Sequence, residues 1–198
     1  MGSCSNIHIS NTNIGTRDDC IVILSGTTNL DISNVKCGSV HGISVGSLGK
    51  NKDEKDVKHL TVRDTVFNGT SDDIRIKTGE SSASIIVVTN FIYENIQMIE
   101  LENRSTLIRS IALTHLVNMK KGESHVQIQD IKLKNIYGTS KNIVAVNLQC
   151  SKSFPCKNVE LIDINLKHTG LEKDHSKAMC ENVDGSVRGR MVSQHCLD

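Results

Sequence analysis

Five charged side chains in this chain could do acid–base chemistry and bind an anionic ligand. Asp18 and Asp19 stand side by side before the apolar run CIVIL, His41 follows, and Arg75 and Lys77 lie in the run DDIRIKT. Carboxylates serve as general acids and bases, and Arg and Lys bind anionic groups. Each signal is weak alone, because an Asp pair in a loop is usually a solvated turn. Their meaning depends on whether the fold brings them together.

A repeat that runs through the chain predicts such a fold. Six segments read apolar, x, apolar, x, Asn or Asp, with intervals of 23, 30, 31, 40 and 28 residues between their last positions. Those last positions are Asn11, Asn34, Asp64, Asn95, Asn135 and Asp163. Unequal periods of this size are typical of a solenoid with loops of varying length, and the alternation indicates strands with one buried face.

A second strand follows most repeats, in CIVIL from Cys20, HGISVGSL from His41, DDIRIKT from Asp72 and NIVAVNLQ from Asn142. Two or more strands per turn predict an all-β, right-handed parallel β-helix. A β-sandwich also has short alternating strands. The β-helix is favoured because the hairpin signal Asn-Gly occurs only once, at Asn68-Gly69.

Stacked turns of a β-helix place equivalent positions about 4.8 Å apart. Counted from the repeat Asn or Asp, Asp18 and Asp19 follow by 7 and 8 residues, His41 by 7, and Arg75 and Lys77 by 11 and 13. Three consecutive turns therefore present these groups on one outer face. We expect a ladder of functional groups with the substrate lying across the turns.

Composition limits the partners that the chain can have. The 198 residues carry 23 Lys and Arg against 22 Asp and Glu, so no strong net charge favours nucleic acid. The longest apolar runs, CIVIL and IIVV, are far shorter than the roughly 18 residues of a membrane helix. We expect a monomer without nucleic-acid or membrane partners.

The seven cysteines are spaced as three local pairs, Cys20 with Cys37, Cys150 with Cys156 and Cys180 with Cys196, which leaves Cys4 over. Disulfides are typical of secreted proteins, yet the first residues do not resemble a secretory signal. A chain that has lost its own beginning would explain the conflict.

Taken in order, RDDC, VHGISVGSLGK and DDIRIKT resemble the motifs of the polygalacturonases, glycoside hydrolase family 28, and especially the plant pollen exopolygalacturonases. The resemblance covers nearly the whole chain. It implies a pectin lyase-like β-helix, with residues 1–198 as one domain forming the C-terminal part of the family domain. It also implies a secreted protein of the cell wall.

The resemblance implies hydrolysis of α-1,4 links in polygalacturonic acid, the backbone of pectin, with inversion. Asp18 would be the acid, and Asp19 would share the attacking water with the Asp of the family's Asn-Thr-Asp motif. His41 would tune the protonation of the acid, while Arg75 and Lys77 would bind substrate carboxylates. No metal or cofactor is implied.

The chain departs from the family pattern at several positions. Asn-Thr-Asp would fall just before Met1, so we expect the N-terminal turns and one catalytic carboxylate to be missing and activity to be weak or absent. Arg17 stands where the family has Gly, and Val40 replaces the first Gly of Gly-His-Gly. Arg17 adds a cation and bulk beside the acid, so we expect it to crowd the cleft.

A further departure lies near residues 100–119, where the family has a Tyr and two cysteines. Permitted codons for Ser105 to Met119, read one nucleotide earlier, allow the family-like INIDQKYCPHPPCEH. We hypothesise a pair of compensating frameshifts between about Ile99 and Lys120, which would leave STLIRSIALTHLV as a strand-like replacement.

Two rival functions follow from the same face. A catalytically silent module could hold pectic chains through Arg75, Lys77 and nearby Lys50. A pectate lyase would need calcium held by clustered carboxylates, and it ranks last because only Asp72 and Asp73 add acids near Arg75.

Overall fold

The computed structural model describes residues 1–38, 41–79, 82, 84–99, 111–115, 124–171, 175–191 and 196–197. Within these ranges the chain alternates long and short strands, and no helix there is long and apolar enough to cross a bilayer. The long strands are β1 (Ser5–Ile14), β3 (Thr28–Cys37), β5 (Val57–Asn68), β7 (Ile86–Ile99), β9 (Val126–Ser140), β11 (Cys156–His168) and β13 (Val183–Met191). The short strands are β2 (Asp19–Ile23), β4 (His41–Leu48), β6 (Ser71–Thr78), β8 (Ile111–His115), β10 (Val144–Gln149) and β12 (Lys177–Glu181).

Each class of strand forms its own parallel sheet. The long strands pair in chain order as a seven-stranded sheet, and the short strands pair in chain order as a six-stranded sheet, counted over the described residues. The chain therefore alternates between the two sheets, and each turn of the coil adds one strand to each sheet. Parallel crossovers of this kind are right-handed in proteins. The architecture is a right-handed parallel β-helix, as the repeat predicts, and the alternative of a β-sandwich is wrong.

The core is a stack of aliphatic and aromatic columns inside the coil. Parallel register aligns Ile32, Val62, Tyr93, Leu133 and Leu161 on successive long strands, and all five are 0% exposed. Alternate residues of the same strands point outward, which is why the sequence alternates in period two. The inward side chains of each turn are buried by those of the turns next to it, so the core is continuous along the axis of the coil.

The repeat Asn and Asp residues form the corners of the coil. All six predicted positions have φ between 50° and 55°, in the left-handed region. The residues immediately before the same six segments have φ between 51° and 61°, and they are Asn6, Asn29, His59, Asn90, Asp130 and Asn158. Asn and Asp adopt this conformation more readily than other non-glycine residues. Most long strands therefore bend twice, five residues apart.

Side-chain amides link successive corners. Asn34 Nδ2 donates to Asn11 Oδ1 at 2.7 Å, and Asn135 Nδ2 donates to Asn95 Oδ1 at 2.8 Å. At the other corner, hydrogen bonds from the side chains of Asn158 and Thr89 lower the pKa of Asp130. Stacking at the strand spacing thus satisfies polar groups at bends where the backbone turns sharply.

The structure also shows which strands the sequence predicts. The four predicted second strands are β2, β4, β6 and β10. The sequence analysis missed β12 and β13, whose residues lack the repeated apolar alternation. In the segment assigned to a frameshift, Ile111–His115 forms β8 between β6 and β10, in agreement with a strand-like replacement. Residues 100–110 and 116–123 lie outside the described part.

Three disulfides join the predicted cysteine pairs. Their Cα–Cα distances are 5.8 Å for Cys20–Cys37, 5.8 Å for Cys150–Cys156 and 5.5 Å for Cys180–Cys196. Cys4 is a free thiol and is half-buried. The spacing of the cysteines is thus sufficient to pair them, because each bridge closes a short loop.

The Tyr93 hydroxyl is an uncompensated polar group in the core. The side chain is 0% exposed, its hydroxyl has no hydrogen-bond partner in the described part of the chain, and burial raises its pKa. An unpaired buried hydroxyl costs about 1–3 kcal/mol. We therefore expect Tyr93→Phe to raise the free energy of unfolding by about 1 kcal/mol or more, measured by urea denaturation.

Tyr137→Phe is the matched control. Tyr137 is 40% exposed, so removal of its hydroxyl should leave the midpoint of urea denaturation unchanged. A drop in stability for Tyr93→Phe would mean that the hydroxyl has a partner in solution, such as a buried water.

Candidate active site

The predicted site residues lie on three consecutive short strands of one sheet. Asp19 begins β2, His41 begins β4, and Arg75 lies in β6. The register sets Asp19 opposite His41 and sets Ser44 of β4 opposite Arg75. Because neighbouring strands are about 4.8 Å apart, residues two turns apart remain within reach of a long side chain. The positions that the repeat predicts to lie on neighbouring turns therefore do so.

Asp18 lies in the bend just before β2 and is exposed. The Thr16 hydroxyl donates to the Asp18 carbonyl oxygen at 2.8 Å, which closes the bend locally. Asp18 Oδ1 accepts a hydrogen bond from the backbone amide of Asp19 at 2.9 Å. The bend thus orients an acidic side chain at the surface while leaving it open to a ligand.

Asp19, Ser44 and Arg75 form a half-buried cluster, here called the carboxylate clamp. Ser44 Oγ donates to Asp19 Oδ1 at 2.6 Å, and Arg75 Nη2 lies 3.2 Å from the same oxygen. The Asp19 and Arg75 side chains are only 12% and 14% exposed. The clamp spans all three strands, so the position of Asp19 depends on the stacking of three turns.

His41 and Lys77 flank this cluster. His41 is half-buried, and its backbone amide lies 3.5 Å from the Asp18 carbonyl oxygen. Lys77 is half-buried and stands two residues after Arg75 in β6, so both cations share one face of the strand. The structure therefore places the five predicted residues in one region of the outer face.

Ser44 is a site residue that the sequence analysis missed. It lies between Ile43 and Val45, which point into the core, so the period of two directs Ser44 outward. A signal was present in the sequence, since Ser44 follows His41 by three residues on a strand already assigned to the site. Counting the outward positions of HGISVGSL would have found it.

Close backbone packing supports the same strands. Gly46 has φ +100°, and a Cβ there would collide with the backbone carbonyl oxygen of Lys77. Only glycine combines this conformation with so close an approach of β4 to β6. Gly46 thus allows β6, which carries Arg75 and Lys77, to lie close to β4, which begins at His41.

Other residues of the sequence hypotheses fall at the margin of the site. Arg17 is exposed beside Asp18, and Lys50 is exposed after β4. Val40 and the side chains of Asp72 and Asp73 lie outside the described part. The expected crowding by Arg17 remains a prediction.

The described residues do not assemble a metal site. No group of three or more His, Cys, Asp or Glu side chains in these ranges could hold a metal ion. What the arrangement offers is one exposed carboxylate, a second carboxylate held by a hydroxyl and a guanidinium, an imidazole, and cations for anionic groups. These are the parts of acid–base chemistry on an anionic substrate.

Comparison with known sequences gives this geometry a family. The sequence model of glycosyl hydrolases family 28 matches residues 1–196. The chain is 40% identical over 197 residues to an exopolygalacturonase of Zea mays, covering 100% of this chain and 48% of the maize protein. It is 39% identical over 197 residues to a polygalacturonase of Brassica napus, covering 100% of this chain and 49% of that protein. The chain spans about half the length of these curated relatives.

A solved structure supports the fold independently. Endo-xylogalacturonan hydrolase from Aspergillus tubingensis superimposes with a TM-score of 0.68 at 20% identity, covering 95% of this chain and 52% of that protein. At that identity the likeness shows the fold alone. The family assignment comes from the sequence match over residues 1–196: this chain belongs to glycosyl hydrolases family 28.

Proposed function

We propose that the chain carries a polygalacturonase-type site that hydrolyses α-1,4-galacturonosyl links of pectin with inversion. Asp18 is the general acid on the leaving oxygen, and Asp19 is the base that orients the attacking water. His41 tunes the acid, and Lys77 binds a substrate carboxylate. Arg75 places a second cation on the same face of β6 as Lys77.

The observation that carries the proposal is the different surroundings of two adjacent carboxylates. Asp18 is exposed, whereas Asp19 is 12% exposed and bonded to Ser44 and Arg75. An inverting glycosidase needs two carboxyl groups in different roles, one that gives a proton and one that stays ionised. A carboxylate paired with a guanidinium suits the second role.

The substrate class follows from charge and from the relatives. Arg75 and Lys77 place two cations on the outer face beside the carboxylates, and a polymer of galacturonic acid offers one anion per sugar. The maize and Brassica relatives are named as an exopolygalacturonase and a polygalacturonase. We extend their substrate class to this chain, together with secretion to the cell wall and action as a monomer.

The test is release of reducing ends from polygalacturonic acid by the purified chain, in mildly acidic buffer. The product anomer, followed by proton NMR, should be inverted. We expect the purified chain to release reducing ends from polygalacturonic acid. Retention of configuration, or release of unsaturated products, would overturn the proposed mechanism.

A non-catalytic pectin-binding module is the second candidate, favoured by the two cations Arg75 and Lys77 that share one face of β6. It predicts binding of oligogalacturonates, measured by calorimetry, without release of reducing ends. Binding together with hydrolysis would exclude it.

A further inference from the structure

We propose that Ser44 is a positioning residue that holds Asp19 in its working orientation, together with the guanidinium of Arg75. The inference rests on the proposed function, since it assigns roles within that site. It adds Ser44, to which the sequence analysis gave no role.

The first argument is the hydrogen bonding of Ser44. Its hydroxyl donates to Asp19 Oδ1 at 2.6 Å and accepts from Arg75 Nε at 3.3 Å and from Arg75 Nη2 at 3.2 Å. A hydroxyl has one hydrogen and two lone pairs, so these three contacts use its whole capacity. Ser44 is 0% exposed. Bulk water therefore has no direct access to the hydroxyl that bridges the carboxylate and the guanidinium.

The second argument is the asymmetry of the Asp19 carboxylate. Oδ1 is bonded to both Ser44 and Arg75. Across the described residues, no hydrogen bond to Oδ2 is formed. Two donors on one oxygen fix the rotation of the carboxylate and leave the other oxygen for a water or a substrate hydroxyl. Orientation of this kind contributes to rate without contributing to substrate affinity.

The third argument is the location of Arg75. Its side chain is 14% exposed, and its guanidinium reaches from β6 across β4 to Asp19 on β2. Such a nearly buried ion pair is weak evidence for stability but specifies one arrangement of its partners.

Replacing the hydroxyl tests the clamp directly. We expect Ser44→Ala to lower kcat for polygalacturonic acid about 10- to 100-fold while KM changes by less than about twofold, because a hydrogen bond to a charged group is lost without a substrate contact. Ser44→Thr, which restores a hydroxyl, should recover part of the loss. Ser33→Ala is the matched control, since Ser33 is a half-buried serine on β3 in the other sheet. An increase in KM with kcat unchanged would overturn the role given to Ser44.

Arg75→Lys separates positioning from substrate binding. Lysine keeps the positive charge but cannot bond Ser44 and Asp19 through a planar fork. Its contacts with Ser44 and Asp19 predict a loss in kcat, and its retained charge predicts a smaller change in KM. A rise in KM alone would show that Arg75 does not help to hold Asp19.

A readout that does not depend on catalysis separates this inference from the proposed function. Three-bond couplings about χ1 of Asp19, measured by NMR, should report one rotamer in the wild-type chain and averaged rotamers in Ser44→Ala. Equal couplings in the two proteins would overturn the inference even if both hydrolyse pectin. One rotamer in a wild-type chain without hydrolysis would overturn the proposed function and support the clamp.

Discussion

Asp18→Asn is expected to reduce hydrolysis of polygalacturonic acid at least about 1,000-fold, because an amide cannot give a proton to the leaving oxygen. Asp18 is exposed in the bend before β2, and its side chain accepts a hydrogen bond from the Asp19 amide. An asparagine oxygen can accept the same bond, so the bend should be preserved. The loss should therefore appear in kcat, with the fold and the affinity for oligogalacturonate nearly unchanged.

The measurement is reducing-end release at enzyme concentrations high enough to follow slow turnover, with thermal denaturation to confirm folding. Asp184→Asn is the matched control, since Asp184 is exposed on β13 in the other sheet. Equal loss in both variants would indicate a general effect of removing a surface charge. Full activity in Asp18→Asn would assign the acid to another residue and overturn the proposed roles.

The fold could be predicted from the sequence because one physical constraint recurs in every turn. A corner that needs φ near +50° selects Asn or Asp, and the columns between corners need inward apolar residues. The corner Asn or Asp and the inward apolar residues are both local features, so they can be seen directly in the sequence of each turn. The last turn lacks them in part, since Gly189, with φ +75°, stands beside Asp163 where earlier turns have an Asn or Asp. Because Gly189 replaces the Asn or Asp of the pattern, β13 does not match the repeat.

The site could be predicted only as a set of positions. Charged residues on neighbouring turns indicate a shared face, but they do not show which groups bond to each other. That Arg75 contacts Asp19 depends on side-chain reach across β4 and on the hydroxyl of Ser44 between them. A neutral, buried serine carries little chemical signal by itself, although its position on the strand was available.

Asp19 connects the stability of the coil to the chemistry of the site. Its neighbour Cys20 is 8% exposed and is joined to Cys37 at the end of β3. The clamp holds the Asp19 side chain from the β4 and β6 turns, while the disulfide holds the backbone of β2 to the long strand that follows. The clamp therefore restrains the Asp19 side chain, and the disulfide restrains the backbone next to it.

Removing the Cys20–Cys37 disulfide by a Cys20→Ala, Cys37→Ala double substitution is expected to lower the free energy of unfolding by about 3 kcal/mol. The bridge closes a loop with a sequence separation of 17, and in the chain-entropy model the cost grows with loop length. We also expect kcat to fall, because β2 begins at Asp19 and gains freedom once Cys20 is released. Urea denaturation and reducing-end release measure the two effects.

The Cys150→Ala, Cys156→Ala pair is the matched control, since its bridge has a separation of only 6 and lies at the end of β10, two strands beyond Arg75. It should cost about 2 kcal/mol by the same model and leave kcat unchanged. Loss of stability in both pairs with loss of kcat only in the first would show that the disulfide positions β2. Unchanged kcat in the Cys20, Cys37 variant would mean that Ser44 and Arg75 hold Asp19 without help from the backbone restraint, because the clamp acts on the side chain itself.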